Sequence, residues 1–319
     1  MLITSSNSAR IEEVIMDRKV TTIIDHERCN GCGLCIAVCP LGTLSLKHGV
    51  AWVTGDESLN CGHCAAACPQ GAIQVNAVDS ALSAFSTFRS DTAWLPFGTF
   101  DTGRLVQLMR SRRSCRNYRD RPVERVILED LVKIGITAPS GSNCQLWSFT
   151  ILPDRESVLD LGNHIGDYFK KVNRLAEKAW LRRLLKFMGR ATLSEYFNTH
   201  YESVKMGLAQ WELYGKDLLF HGAPALIIVG SRNDASCPAE DALLATQNML
   251  LAAHSMGLGS CLVGYAVEVM RQERQVCRFV GMPDNETPYA AIALGYPNEH
   301  YASIAGRRHM AMRYFHKTR

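Results

Sequence analysis

The stretch Cys29-Asn-Gly-Cys32-Gly-Leu-Cys35-Ile-Ala-Val-Cys39-Pro40 has the spacing C-x2-C-x2-C-x3-C-P. That spacing is a ligand pattern for cubane iron–sulfur clusters. Three thiolates at i, i+3 and i+6 can wrap one face of a cluster, and Gly31 and Gly33 supply the tight turns. The fourth Cys, followed by Pro, is aimed at a second cluster. A second run, Ser58-Leu-Asn-Cys61-Gly-His-Cys64-Ala-Ala-Ala-Cys68-Pro69, repeats the pattern with Ser at its first position. Crossed ligation gives the first cluster Cys29, Cys32, Cys35 and Cys68, a full [4Fe-4S] set. The second receives Cys39, Cys61 and Cys64, with Ser58 at the remaining corner. Three thiolates suit a [3Fe-4S] cluster, or a [4Fe-4S] cluster with one labile iron. Pairs of C-x2-C also suit tetrahedral zinc, but seven thiols in two runs exceed the four ligands that zinc takes.

Around this stretch the chain runs to 319 residues, enough for two domains. Seven of its 12 Cys lie between Cys29 and Cys68, which puts the metal chemistry in one compact unit. Apolar residues make up 47% and charged residues 21%, which excludes wholesale disorder and collagen-like structure. A formal charge of +4 leaves no electrostatic footprint for nucleic acid. No apolar run is long enough to span a membrane, and the N-terminus has no apolar signal core. A cytoplasmic protein is therefore expected, whose thiols serve as metal ligands before disulfides.

Over residues 20–76 the chain resembles the two-cluster bacterial-type ferredoxins, with TTIID before the first run and AIQV after the second as short strands. Residues 77–103 read as a connector rich in small polar residues. Its aromatics, Phe85, Phe88, Trp94, Phe97 and Phe100, suggest that it packs on a surface. From residue 104 to 319 helices and strands alternate, giving an α+β domain. Val123, Val126, Ile127, Leu131 and Ile134 recur at helical spacing, and so do Ala242, Thr246, Met249, Leu250 and Ala253 within a helix over 239–256. The segments 146–152, 225–230 and 289–294 read as strands.

Three segments of this domain carry chemistry: Arg112-Arg113-Ser114-Cys115-Arg116, the turn Ala138-Pro139-Ser140-Gly141-Ser142-Asn143-Cys144-Gln145, and Ala305-Gly306-Arg307-Arg308. Clustered guanidiniums can hold a phosphate, and the polar turn can read the edge of a ring system. Together with HGAPALIIV, AEDALLATQNMLLAAHSMGLGSCLVG and PYAAIALGYP, these segments resemble the nitroreductase family. The resemblance implies a nitroreductase-like α/β sandwich binding FMN between the subunits of a homodimer. It implies that Arg112, Ser114 and Arg116, with Arg113 nearby, contact the phosphate and ribityl chain. Ser140, Asn143 and Gln145, flanked by Pro139, would come from the partner chain. Val263 and Gly264 would approach the isoalloxazine ring, and Arg307, with Arg308 beside it, would bind phosphate. Leu146 stands where that family commonly has Pro.

Residues 168–190 carry eight basic side chains against the single acid Glu177. They read as one amphipathic helix, with Tyr168, Val172, Leu175 and Ala179 as its apolar stripe. Its basic face is either solvated, or a dock for an acidic electron donor or anionic substrate, or a membrane-surface contact. His200, His221, His254 and His309 have no evident partners in sequence, and the five scattered Cys read as inert. The chemistry is then that of the flavin, fed by the clusters, by a donor protein such as ferredoxin, or by NAD(P)H, and discharged to a small acceptor such as a nitroaromatic or quinone. The alternative is a non-catalytic relay or redox sensor.

Overall fold

A computed structural model describes residues 18–316. At the N-terminal end β1 (Thr22–Ile24) pairs antiparallel with β4 (Ile73–Val75), the two short strands expected on either side of the thiol runs. Between them lies a hairpin that sequence reading passed over, β2 (Leu44–Lys47) and β3 (Val50–Val53). It turns at His48-Gly49, whose φ angles of 51° and 80° are the left-handed pair a tight hairpin needs. Two single-turn helices, α1 (Leu34–Ala37) and α2 (His63–Ala66), carry the Cys of each run. Each opens on a left-handed glycine, Gly33 at φ 73° and Gly62 at φ 74°. The buried apolar residues are few: Cys35, Leu44, Ala51 and Ile73 pack together, and Ala72 and Val75 are buried beside them. A core that small needs a covalent or metal staple.

The connector is half packed. Phe85 stacks on Phe88, with ring centroids 4.6 Å apart. The Ser86 and Thr87 amides and the Thr87 hydroxyl all donate to Asp130, at 2.6–3.0 Å. Trp94, Phe97 and Phe100, expected on a surface, are instead 75%, 93% and 56% exposed in the single chain. No polar clasp such as Asp130 holds that half among the described residues. The next element, α3 (Thr102–Ser111), is N-capped by Asp101, which accepts from the Arg104 amide at 3.0 Å.

The larger body is built on β5 (Trp147–Leu152), β6 (Ala225–Arg232), β7 (Gly259–Leu262) and β8 (Glu286–Gly295). The sheet is antiparallel throughout, in the order β5-β6-β8-β7. Central β6 is buried on both faces, so its period of two divides the core. Leu226 and Ile228 face α5 (Arg155–Ala176), α10 (Gly264–Gln272) and α11 (Arg274–Phe279). Ala225, Ile227 and Val229 face α4 (Arg125–Gly135) and α9 (Pro238–Ser255). In α9 the expected stripe of Ala242, Thr246, Met249, Leu250 and Ala253 is buried throughout. Gly257, at φ 80°, ends the helix and turns the chain into β7.

The basic segment departs from expectation. It is two helices, not one: α5 ends at Ala176 and α6 spans Ala179–Phe187. The Arg182 guanidinium donates to the Ala176 carbonyl, closing the end of α5, and lies 3.7 Å over the ring of Phe197. The buried stripe is Ile165, Phe169, Asn173 and Ala176, while Leu175 is 44% exposed. Asn173 can turn inward because its Oδ1 accepts from the Tyr196 hydroxyl at 2.7 Å. Two further helices, α7 (Thr192–Thr199) and α8 (Tyr201–Tyr214), complete this side, and Lys170 pairs with Glu212 of α8 at 2.8 Å. No helix among the described residues is long and apolar enough to cross a membrane.

Candidate functional site

Beyond α3 the segment 112–116 runs beside the edge of β7. Ser114 forms a parallel bridge with Ser260, and the Cys115 amide donates to the Ser260 carbonyl at 2.9 Å. The approach requires Gly259, since a Cβ there would lie 2.7 Å from Cβ and Sγ of Cys115. Arg112 emerges half-buried. Burial, followed by the like charges of Arg113 and Arg307, holds its guanidinium below the usual arginine pKa. Arg307, from the C-terminal segment, is thus within electrostatic reach of Arg112. Arg116, Ser114 and Arg112 oppose the effect of burial on the Cys261 thiol, whose pKa is nevertheless raised. Arg308 is exposed.

Among the described residues no carboxylate forms an ion pair with Arg112, Arg113, Arg116 or Arg307. The buried Ser260 hydroxyl also lacks a hydrogen-bond partner. The guanidiniums clustered here fit a phosphate, which would neutralise them. Val263 is buried and its amide donates to the Ala291 carbonyl at 2.9 Å. At Gly264 a Cβ would meet nothing within 4 Å, so a flat group can approach the backbone there. His254, for which sequence offered no partner, lies near this cluster. Burial and then Arg112 hold it below its usual pKa.

The Pro139–Gln145 turn is pinned from the start of α9. Asp241 Oδ1 accepts from the Gly141 amide at 2.9 Å, and its backbone oxygen accepts from Trp147 Nε1 at 3.1 Å. Asp241 is buried, and sequence reading missed it; its sole signal was an acid in a helix's first turn. Within the turn the Gln145 amide donates to Ser140 Oγ, and Gln145 Nε2 donates to Asn143 Oδ1, both at 3.0 Å. Ser142, Asn143 and Gln145 are left-handed, at φ 53°, 54° and 50°. Asn143 Nδ2 donates to the Leu59 carbonyl at 2.8 Å, tying the turn to the second thiol run. Pro139 is exposed beside it. No hydrogen bond among the described residues joins this turn to the arginine cluster within one chain.

The thiols Cys29, Cys32 and Cys35 lie close together, and Cys39 of the same run lies close to Cys61 and Cys64 of the other. Cys29 and Cys32 raise the pKa of Cys35, though less than its burial does. Burial, followed by Cys61 and by Cys39 of the other run, raises the pKa of half-buried Cys64. Cys39 itself stays below its usual value: burial opposes its charge, but hydrogen bonds from Thr43, Leu41 and Gly42 outweigh burial. Backbone amides already point at sulfur, Ala51 at Cys29 (3.4 Å) and Ala72 at Cys68 (3.3 Å). These contacts stabilise thiolates, so the donor set fits iron–sulfur ligation. Ser58 lines the same small cavity as Cys39, Cys61 and Cys64, and its hydroxyl accepts from the Asn60 amide at 3.0 Å.

On the other side of the sheet, His200 does have a partner: its Nδ1 lies 3.2 Å from the Tyr265 hydroxyl, immediately beyond Gly264. Tyr265 also borders an apolar cavity of about 180 Å³ between α5 and α8. Of the scattered Cys, Cys115, Cys261 and Cys277 are buried, and Cys237 is exposed.

A family model described as the nitroreductase family matches residues 109–296, more than half of the chain. The chain belongs to the nitroreductase family. It is an oxidoreductase of that FMN-dependent family, and a second model, a 4Fe-4S dicluster domain, matches residues 28–73. This nitroreductase-family chain is 27% identical over 202 residues to an iodotyrosine deiodinase of Thermotoga neapolitana, covering 61% of this chain and 89% of that protein. It is 27% identical over 208 residues to a 4-nitrobenzoate reductase of Nocardioides sp., covering 59% and 78%. A solved nitroreductase with bound FMN from Bacteroides fragilis is 21% identical, with 66% of this chain and 96% of that one covered and a TM-score of 0.49.

Proposed function

We propose that the protein is a homodimeric FMN-dependent reductase with a built-in iron–sulfur electron entry. The guanidinium cluster around half-buried Arg112, with no carboxylate in an ion pair among the described residues, carries this reading, because clustered like charges are stabilised where an anion neutralises them. Arg112, Ser114, Arg116 and Arg307, with Arg113 and Arg308 around them, bind the FMN phosphate and ribityl chain. Pro139, Ser140, Asn143 and Gln145 are supplied by a second copy, so two identical sites form across a two-fold interface. Val263 and Gly264 leave room for the isoalloxazine ring. When bound, FMN supplies the electron and hydride chemistry, and the chain binds and orients it.

Cys29, Cys32, Cys35 and Cys68 hold a [4Fe-4S] cluster. Cys39, Cys61 and Cys64 hold a [3Fe-4S] cluster, or a [4Fe-4S] cluster completed by Ser58 or water. Electrons come from a one-electron donor protein through the clusters, or from NAD(P)H, and leave to a small acceptor such as a nitroaromatic or quinone. Thiolates in this number persist in a reducing compartment, in keeping with a cytoplasmic enzyme.

Anaerobic purification with iron, sulfide and FMN analysis, sedimentation, and steady-state reduction of a nitroaromatic test the proposal. The expected result is a flavin-loaded, iron-containing dimer that turns over. Flavin reduction without turnover favours a relay, and a monomer that retains FMN refutes the shared site.

A further inference from the structure

We infer that the second thiol group, not the first, is the flavin site's electron neighbour, and that Asn143 is the positioning residue that holds it there. This inference rests on the reading just given. Among the described residues, the bond from Asn143 Nδ2 to the Leu59 carbonyl is the one hydrogen bond between residues 18–79 and the body beyond residue 101. Leu59 sits between Ser58 and Cys61 and lines the same cavity as Cys39, Cys61 and Cys64. The amides that point at the first group's sulfurs, Ala51 and Ala72, come from inside the small module. Its backbone contacts also close within that module, Gly31 being so near Gly49 that a Cβ would lie 2.0 Å from the Gly49 oxygen.

Both sides of the contact are held in costly backbone. Asn60, beside Leu59, has φ 49°, and Asn143 lies among three left-handed residues. Such strain persists where surrounding structure over-determines it, and it concentrates at functional sites. Asn60 is fixed by Thr21 Oγ1 donating to its Oδ1 at 2.9 Å and by its own Nδ2 donating to the Lys19 carbonyl at 3.0 Å. Asn143 is fixed by Gln145 on its oxygen and by Leu59 on its nitrogen. One side chain therefore spans from the second cluster's loop to the turn expected against the flavin of the opposite copy. With both clusters and FMN bound, the first thiol group would take electrons from a low-potential one-electron donor and the second, held by Asn143, would stand between it and the flavin. Two single electrons and two solvent protons are taken up for each two-electron reduction.

The test uses the holoprotein after FMN, iron and sulfide analysis; lack of FMN or iron overturns both this inference and the reading beneath it. Asn143→Asp keeps the shape but sets an acceptor against the Leu59 carbonyl. With dithionite-reduced ferredoxin as donor in an anaerobic stopped flow, cluster bleaching should be unchanged. Flavin bleaching, normalised to FMN content, should slow about fivefold, the population shift that one neutral hydrogen bond carries, with the flavin midpoint potential unchanged; slowing that instead tracks a shifted flavin potential overturns the positioning role. Unchanged flavin bleaching overturns the role of Asn143. In the unaltered protein, relaxation of the flavin EPR signal should quicken when the second cluster is paramagnetic; quickening that follows the first cluster overturns the order. Either failure, in a protein that holds FMN and iron, leaves the reductase reading standing.

Discussion

Arg307 lies within electrostatic reach of Arg112 and, after burial and Arg113, helps hold its pKa down, and among the described residues no carboxylate forms an ion pair with either. One charge enters from the end of a helix and the other from the C-terminal turn. Arg112→Ala or Arg307→Ala removes a charge-assisted contact to phosphate worth about 1.5–3 kcal/mol. FMN affinity, measured by fluorescence titration of the apoprotein, should fall about 10- to 150-fold. Iron content should not change, since the thiols lie elsewhere.

Ser58→Cys supplies the missing thiolate. Its neutral hydroxyl is a poor iron ligand because ionising it is far costlier than ionising a thiol. The variant should hold more iron per chain and lose any [3Fe-4S] EPR signal that the air-exposed parent shows. A parent with two equally robust four-iron clusters refutes the ligand set of the second.

Gly259→Ala pushes a methyl to 2.7 Å from Cys115 and forces Ser114 away from β7. Overpacking of this kind costs about 1–3 kcal/mol. The variant should melt earlier and retain less FMN. Gly207→Ala, where a Cβ meets nothing within 4 Å, serves as its control and should leave both unchanged or raise the melting temperature slightly.

Asp130 should make stability fall in acid. Burial works against its charge, but the Thr87 hydroxyl and the Ser86 and Thr87 amides outweigh burial and hold its pKa below the usual carboxylate value. A pKa lower in the folded state contributes stability that is complete above the unfolded-state pKa and is lost as pH falls through the folded one. Asp130→Ala should cost about 2–3 kcal/mol at neutral pH by urea melts. The gap from the parent should narrow as the pH is lowered into the carboxylate range.

Much of this was legible in the sequence, for physical reasons that differ by element. Strand β6 announces itself because both its faces are buried, and α9 because its stripe recurs every three or four residues. The thiol runs are legible because ligand spacing is local. The β2–β3 hairpin left a signal, LSLK and VAWV around His48-Gly49, that was passed over. Strand β7 left almost none, being four residues of which Gly259 and Ser260 are small. The stripe on α5 was read one position off because Asn173 looks polar in sequence and is satisfied inside by Tyr196. Contacts such as Asp130–Thr87, Asp241–Gly141, His200–Tyr265 and Asn143–Leu59 join distant positions, and no periodicity records them.

The Asp130 clasp fixes the connector at Ser86, with only ten residues between it and the end of β4. Ten residues reach at most about 36 Å, so the iron–sulfur module explores a small volume around its own flavin domain. A tether this short gives a local concentration on the order of millimolar. On the proposed route, delivery of electrons from the module to the flavin within the dimer is first-order and needs no diffusional encounter. The encounter that depends on concentration is displaced outward, to the arrival of the external donor at the module.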